Sequence, residues 1–188
     1  MKNQHYEVYP RPQMKRANYV ILHKNWTLNG KPICMPFPPQ ALLSGFEGRV
    51  GAKLVYETEF TIPEDFTKER VLLHFGAVDQ IAEVYVNQKL VGSHTGGYES
   101  FSFDITDALK TENALEVRVA DDLRDHILPY GKQTLHRGGM WYTPVSGIWQ
   151  TVWLESVPEN YVNSLSIQVT LDAATITVTP ALNGTVTL

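Results

Sequence analysis

Asp79 closes the run Phe75-Gly76-Ala77-Val78-Asp79, an acid set between one strand-like stretch and the next, which begins at Ile81. A carboxylate there can accept hydrogen bonds from ligand hydroxyls, or it can cap the turn into the following strand. Trp141 and Tyr142 stand side by side in a long segment without period, where flat rings either stack on a ligand ring or plug the end of a sandwich. His94 and Tyr98 flank the pair Gly96-Gly97 and are further candidates for ligand contact, with polar surface as the plainer reading of His94. Trp149 and Trp153 lie at period two on one expected strand, so they should share a face and serve packing.

Other reactive side chains lack the company that catalysis needs. Ser44, Ser93, Ser146 and Cys34 have no base at a recognisable spacing, and Gly-X-Ser-X-Gly is absent, so no catalytic residue is assigned. The six histidines include no His-X-His or His-X-X-X-His pair, and Cys34 is the only cysteine; no metal, cofactor or disulfide is expected. Arg137-Gly138-Gly139 neither follows a strand nor opens a helix, and it reads as a turn rather than a phosphate cradle.

The elements that must position these residues read as all-β. Residues 1–50 are expected to form an irregular wrap, because Pro10, Pro12, Pro32, Pro36, Pro38 and Pro39 interrupt helix and central strand alike. Residues 51–158 form the expected sandwich. Leu54, Tyr56, Thr58, Phe60 and Ile62 alternate with Val55, Glu57, Glu59 and Thr61, which marks a strand with one wet face. The run Val71-Leu72-Leu73-His74-Phe75 is apolar on both faces and reads as a covered strand. Asn87-Gln88-Lys89 reads as a hairpin turn, and Thr106 as the N-cap of a single helical turn. Residues 121–145 make a long loop of the kind that tends to carry function. After Pro158 a fresh alternation (Leu165, Ile167, Val169, Leu171, Ile176, Val178) opens a second unit over residues 159–188. So few strands cannot close a sandwich of about seven, so the chain is expected to stop inside a second domain.

Taken in order, four segments resemble glycoside hydrolase family 2 of the β-galactosidase and β-glucuronidase kind. They are Tyr9-Pro10-Arg11-Pro12-Gln13; Phe75-Gly76-Ala77-Val78-Asp79 with Val84-Tyr85-Val86-Asn87; Val91-Gly92-Ser93-His94-Thr95-Gly96-Gly97-Tyr98 before Phe103-Asp104-Ile105-Thr106; and Trp141 through Glu155 with its core Ser146-Gly147-Ile148-Trp149. The resemblance implies a galactose-binding-like jelly-roll β-sandwich, then an immunoglobulin-like sandwich, then a catalytic barrel outside this chain. Retaining hydrolysis needs two carboxylates about 5 Å apart at the barrel mouth. The family would keep both there, so this chain alone should be inactive. Asp79 matches the place of a sugar-contacting Asn in β-galactosidases. Trp141 stands where better-known members carry an Asp, which leaves the sugar open between a terminal β-galactoside, β-glucuronide and β-mannoside.

Composition agrees with a folded protein and narrows its partners. Hydrophobic residues make up 43% and charged residues 19%, and the net charge of −4 offers no basic field for nucleic acid. No apolar run approaches the roughly 18–20 residues that cross a bilayer, and Met1-Lys2-Asn3-Gln4-His5-Tyr6 lacks a signal-peptide core, so a cytoplasmic protein without membrane contact is expected. The expected partners are a terminal β-linked sugar, the catalytic barrel and, as an open possibility, further copies of the same chain. A free-standing carbohydrate-binding module and a purely structural or oligomerisation domain stay open as alternatives.

Overall fold

The computed structural model describes residues 8–66, 69–122, 127–172 and 175–183. The extreme start and the end at Leu188, on which the expectations about a leader and a truncated second domain bear, lie outside these residues.

The described residues form fourteen strands, all paired antiparallel, and three short 3-10 turns. One sheet has the order β3-β2-β4-β10-β7-β8, from β3 (Lys31–Ile33), β2 (Trp26–Leu28), β4 (Lys53–Thr61), β10 (Glu112–Ala120), β7 (Ile81–Val86) and β8 (Lys89–Thr95). Alternation decides which side of it is buried: in β4 Leu54, Tyr56, Thr58 and Phe60 point inward while Glu57 and Glu59 are exposed. The register lines up the inward sets, with Val117 of β10 opposite both Tyr56 of β4 and Val84 of β7.

The facing sheet has the order β1-β12-β5-β9, from β1 (Tyr19–Ile21), β12 (Val152–Val157), β5 (Arg70–Phe75) and β9 (Phe101–Asp104). Every residue of β12 is buried, and five of the six in β5. Val71, Leu73, Phe75, Val152 and Leu154 join the core shared with the first sheet. The opposite face of β12 carries Trp153 and Glu155, and there the covering layer is the N-terminal segment. Tyr9 Oη, Arg11 Nη2 and Arg16 Nε all donate to the Glu155 carboxylate, the guanidiniums at 2.6–2.7 Å, and Trp153 Nε1 donates at 2.8 Å. A strand buried on both faces therefore has two different covers: a hydrophobic core on one side and a charged strap on the other.

Three sequence expectations are revised. Residues 1–50 are not irregular throughout, since they supply β1, β2 and β3. Asn29 and Gly30 at φ 49° and 74° form the tight turn that a β2–β3 hairpin needs, and Pro32 is tolerated because β3 is an edge. Thr106 is not the N-cap of its turn, which spans Thr106–Ala108. Ile105 holds that position, while Asp104 Oδ1 accepts from Thr106 N and Oγ1, and Thr106 Oγ1 accepts from Val71 N. Trp149 and Trp153 do not share a strand, because β11 (Gly147–Ile148) pairs with β6 (Val78–Asp79) as a separate two-stranded ladder before β12 begins. The last ladder, β13 (Tyr161–Thr170) with β14 (Thr175–Asn183), pairs with no other strand among the described residues.

Candidate functional site

The short β6–β11 ladder sets Asp79 directly opposite Gly147. Both partners must fit a narrow space. Gly147 has φ 73°, and a Cβ on it would fall 2.2 Å from the Tyr56 hydroxyl. On the other side a Cβ on Gly97 would fall 2.4 Å from Asp79 Oδ1. Only glycine fits at these two approaches. Asp79 is thereby only 2% exposed, although it belongs to a loop-like junction.

The carboxyl of Asp79 is half satisfied. Oδ2 accepts a hydrogen bond from Gln133 Nε2 at 2.9 Å, whereas Oδ1 is buried with no hydrogen-bond partner among the described residues. Burial pushes its pKa up to about 6; the Gln133 hydrogen bond pulls the other way, and the charge of Asp121 adds to the rise. Asp121, at the start of the long loop, is itself raised by burial, a hydrogen bond from Ser146 acting against it and Asp122 with it. Ser146 is held by Gln40, which donates Nε2 to its Oγ at 2.8 Å and accepts its backbone N–H at 3.2 Å. Next to this pair lies an open hollow of about 530 Å³ bordered by Gln40, Arg49, Asp121, Pro144 and Ser146. A larger groove, about 710 Å³, runs over the outer face of the six-stranded sheet between Thr27, Glu57, Tyr85, Glu116 and Arg118.

Tyr98 is brought to Asp79. Its hydroxyl lies 3.4 Å from Gln133 Nε2, and its ring meets Trp149 edge-on at 6.3 Å. Trp149 in turn donates its indole N–H to the Gly97 carbonyl at 2.8 Å, fixing the backbone that presses on Asp79. Tyr142 joins through the backbone: it forms a bridge with Gln133, donates its N–H to the Lys132 carbonyl, and accepts from Thr134 N. Its side chain and that of Trp141 are exposed, at 65% and 46%. Trp141 closes a small turn by donating its N–H to Gly138. His94 is turned elsewhere: its imidazole stacks on Phe101 with centroids 4.2 Å apart, and Nε2 is buried without a hydrogen-bond partner among the described residues.

Sequence reasoning missed Gln133, Gln40, Asp121, Gly97 and Trp149 as parts of one site. Gly97 carried a signal, since a Gly-Gly pair before an aromatic marks a close backbone approach. Gln133 and Gln40 carried none, because a lone glutamine in a loop has no period and no motif. Among the described residues no group of three or more His, Cys, Asp or Glu side chains is placed to hold a metal ion.

Comparison with known proteins bears on the same region. Residues 49–137 match the family model described as glycosyl hydrolase 2 galactose-binding domain-like. The chain is 35% identical over 115 residues to a β-galactosidase of Thermoanaerobacter pseudethanolicus, covering 58% of this chain and 14% of that protein. It is 31% identical over 133 residues to a putative β-glucuronidase of Formosa agariphila, covering 69% of this chain and 15% of that one. This chain thus spans about one-seventh of the length of those relatives. The fold is similar to the β-glucuronidase of Ruminococcus gnavus solved in complex with D-glucuronic acid, with a TM-score of 0.68, 21% identity, and coverage of 96% of this chain and 36% of that one.

Proposed function

Because residues 49–137 carry the galactose-binding-like domain of glycosyl hydrolase family 2, we propose that this chain is the non-catalytic N-terminal part of a β-glycosidase, with Asp79 facing the sugar. The observation that carries the reading is the buried Asp79 Oδ1, packed against Gly97 and without a hydrogen-bond partner among the described residues while its twin oxygen is bonded. A buried carboxyl oxygen lacking a partner is costly unless something else satisfies it, and a sugar hydroxyl is an apt donor. A uronic acid carboxylate would be repelled at this spot, so Asp79 meets hydroxyls whether the sugar is a galactoside or a glucuronide.

The two catalytic carboxylates would come from a barrel elsewhere in the complete protein. The domain would pack on that barrel and shape the pocket for a terminal β-galactoside or β-glucuronide. Tyr98 and the exposed Trp141 and Tyr142 would supply aromatic faces at its rim. The separate β13–β14 ladder suits the beginning of an immunoglobulin-like sandwich. Its aligned Leu165–Pro180, Ile167–Val178 and Val169–Ile176 pairs stack apolar side chains on one face, as strands do that await a second sheet.

Hydrolysis of chromogenic β-galactoside, β-glucuronide and β-mannoside by the complete protein that contains this chain, measured beside the 188-residue chain, tests the reading. Activity in the complete protein alone, reduced at least tenfold by Asp79→Ala, is expected. Sugar binding by the isolated chain with no hydrolysis by the complete protein would favour a carbohydrate-binding module instead.

A further inference from the structure

We propose that Gln133 is the positioning residue of this site: its side-chain amide takes up one oxygen of Asp79 and so commits the other to the ligand. The proposal rests on the sugar-facing reading of Asp79.

Three observations fix what Gln133 does. Its Nε2 donates to Asp79 Oδ2 at 2.9 Å, while its Oε1 accepts from Val145 N at 2.5 Å. Turning the amide over would set an oxygen against the carboxylate and an N–H against an N–H, so the orientation is locked from both ends. The main chain of Gln133 is held as well, bridged to Tyr142 with Lys132 and Thr134 bonded on either side. Finally, no cation pairs with Asp79 among the described residues, so Gln133 is the one side chain there that hydrogen-bonds its carboxyl.

The consequence is directional. A carboxyl with two unbonded oxygens could turn about its terminal torsion, which is broad for aspartate. Once Oδ2 is bonded to Gln133, Oδ1 is confined to the side of Gly97. The same glutamine ties the end of the long loop at Val145 back to its middle at residue 133, so the ligand-facing acid and the aromatic rim at Tyr142 are held by one set of bonds. Asp121 is the other titratable group acting on Asp79, and it opposes ionisation, which makes the Gln133 donor the one local aid to the charged form.

Two variants separate the two ends of the amide. Gln133→Glu keeps an acceptor for Val145 N but turns an acceptor toward Asp79; Gln133→Met removes both. The titration midpoint of Asp79, followed by the carboxyl carbon resonance, is expected to rise from about 6 in both variants, more so in Gln133→Glu. Binding of methyl β-D-galactoside or methyl β-D-glucuronide by the complete protein should weaken roughly tenfold in both variants, as loss of a hydrogen bond to a charged group implies. An Asp79 midpoint unmoved in both variants would overturn the proposal and reduce Gln133 to a loop strut. So would wild-type sugar affinity in Gln133→Glu. If the complete protein with the wild-type residues binds neither glycoside, the sugar reading fails by itself, and the midpoint alone decides whether Gln133 positions Asp79.

Discussion

Arg16 holds Glu155 with its Nε at 2.7 Å and the Val162 carbonyl with its Nη2, also at 2.7 Å, so one guanidinium joins the sandwich to β13. Glu155 is fully buried, and Arg11 reaches the same carboxylate. Burial pushes its pKa upward, but contact with His74 and hydrogen bonds from Trp153 and Tyr9 overcome this and hold it well below the ordinary value of 4.5. Replacing one member of a buried charge cluster leaves the others uncompensated, so Glu155→Gln should lower unfolding free energy by about 3 kcal/mol in urea melts. The pH dependence has a definite sign. A depressed carboxylate contributes its full stability above about pH 4.5 and loses it as pH falls toward the folded value, so the variant and the wild type should converge in acid.

Asp79 has the opposite sign. Its folded pKa of about 6 lies above the ordinary value of 3.8, so the native state binds a proton more tightly than the unfolded chain. Its contribution is most favourable below about pH 3.8 and is lost as pH rises through 6. Asp79→Asn keeps the acceptor for Gln133 and cannot ionise. It should match the wild type near pH 4 and exceed it at pH 8 by about 1 kcal/mol, a figure discounted for solvent screening. A thermal melt at the two pH values measures this, and an Asn variant less stable at pH 8 would refute it.

Gly97 and Asp79 press on one another. A methyl on Gly97 would stand 2.4 Å from Oδ1 and 2.8 Å from Cγ, well inside contact distance. Gly97→Ala should therefore cost about 1–3 kcal/mol. Most of that cost should vanish in the background of Asp79→Ala, which removes the atoms in the way. A double-mutant cycle by urea denaturation reads the coupling, and strictly additive costs would show that the strain lies in the backbone instead.

The contrast between β4 and the site shows what a sequence reveals. Leu54, Tyr56, Thr58 and Phe60 obey period two, so their common face is legible, and the covered β5 is legible from its unbroken apolar run. Asp79 was legible only as an acid at a junction. Its partners Gln133 and Asp121 come from a loop 42 to 54 positions away, brought in by antiparallel β6–β11 pairing that two residues per strand cannot signal. Trp149 was misassigned for the same reason: two short strands in different sheets read as one alternating strand. The revised N-terminal segment had a usable signal in Asn29-Gly30, the turn pair that most strongly marks a hairpin.

The β7–β8 hairpin supplies a last test, because its turn is built from residues that pay for their conformation. Asn87 and Gln88 both have positive φ, at 52° and 68°, as a two-residue turn between twisted strands requires. Asn87 offsets this strain with its side chain, donating to the Ala108 carbonyl and Asn113 Oδ1 and accepting from Ala114 N. Gln88 is exposed, with no comparable set of bonds to offset a left-handed backbone that costs an ordinary residue about 1 kcal/mol. Gln88→Gly should therefore raise stability by about 0.5–1 kcal/mol in urea denaturation, whereas Asn87→Gly, which forfeits three hydrogen bonds, should lower it by about 1–2 kcal/mol. A gain at both positions would mean that backbone strain outweighs the Asn87 bonds. A loss at both would mean that the greater freedom of glycine in the unfolded chain outweighs the relief of strain.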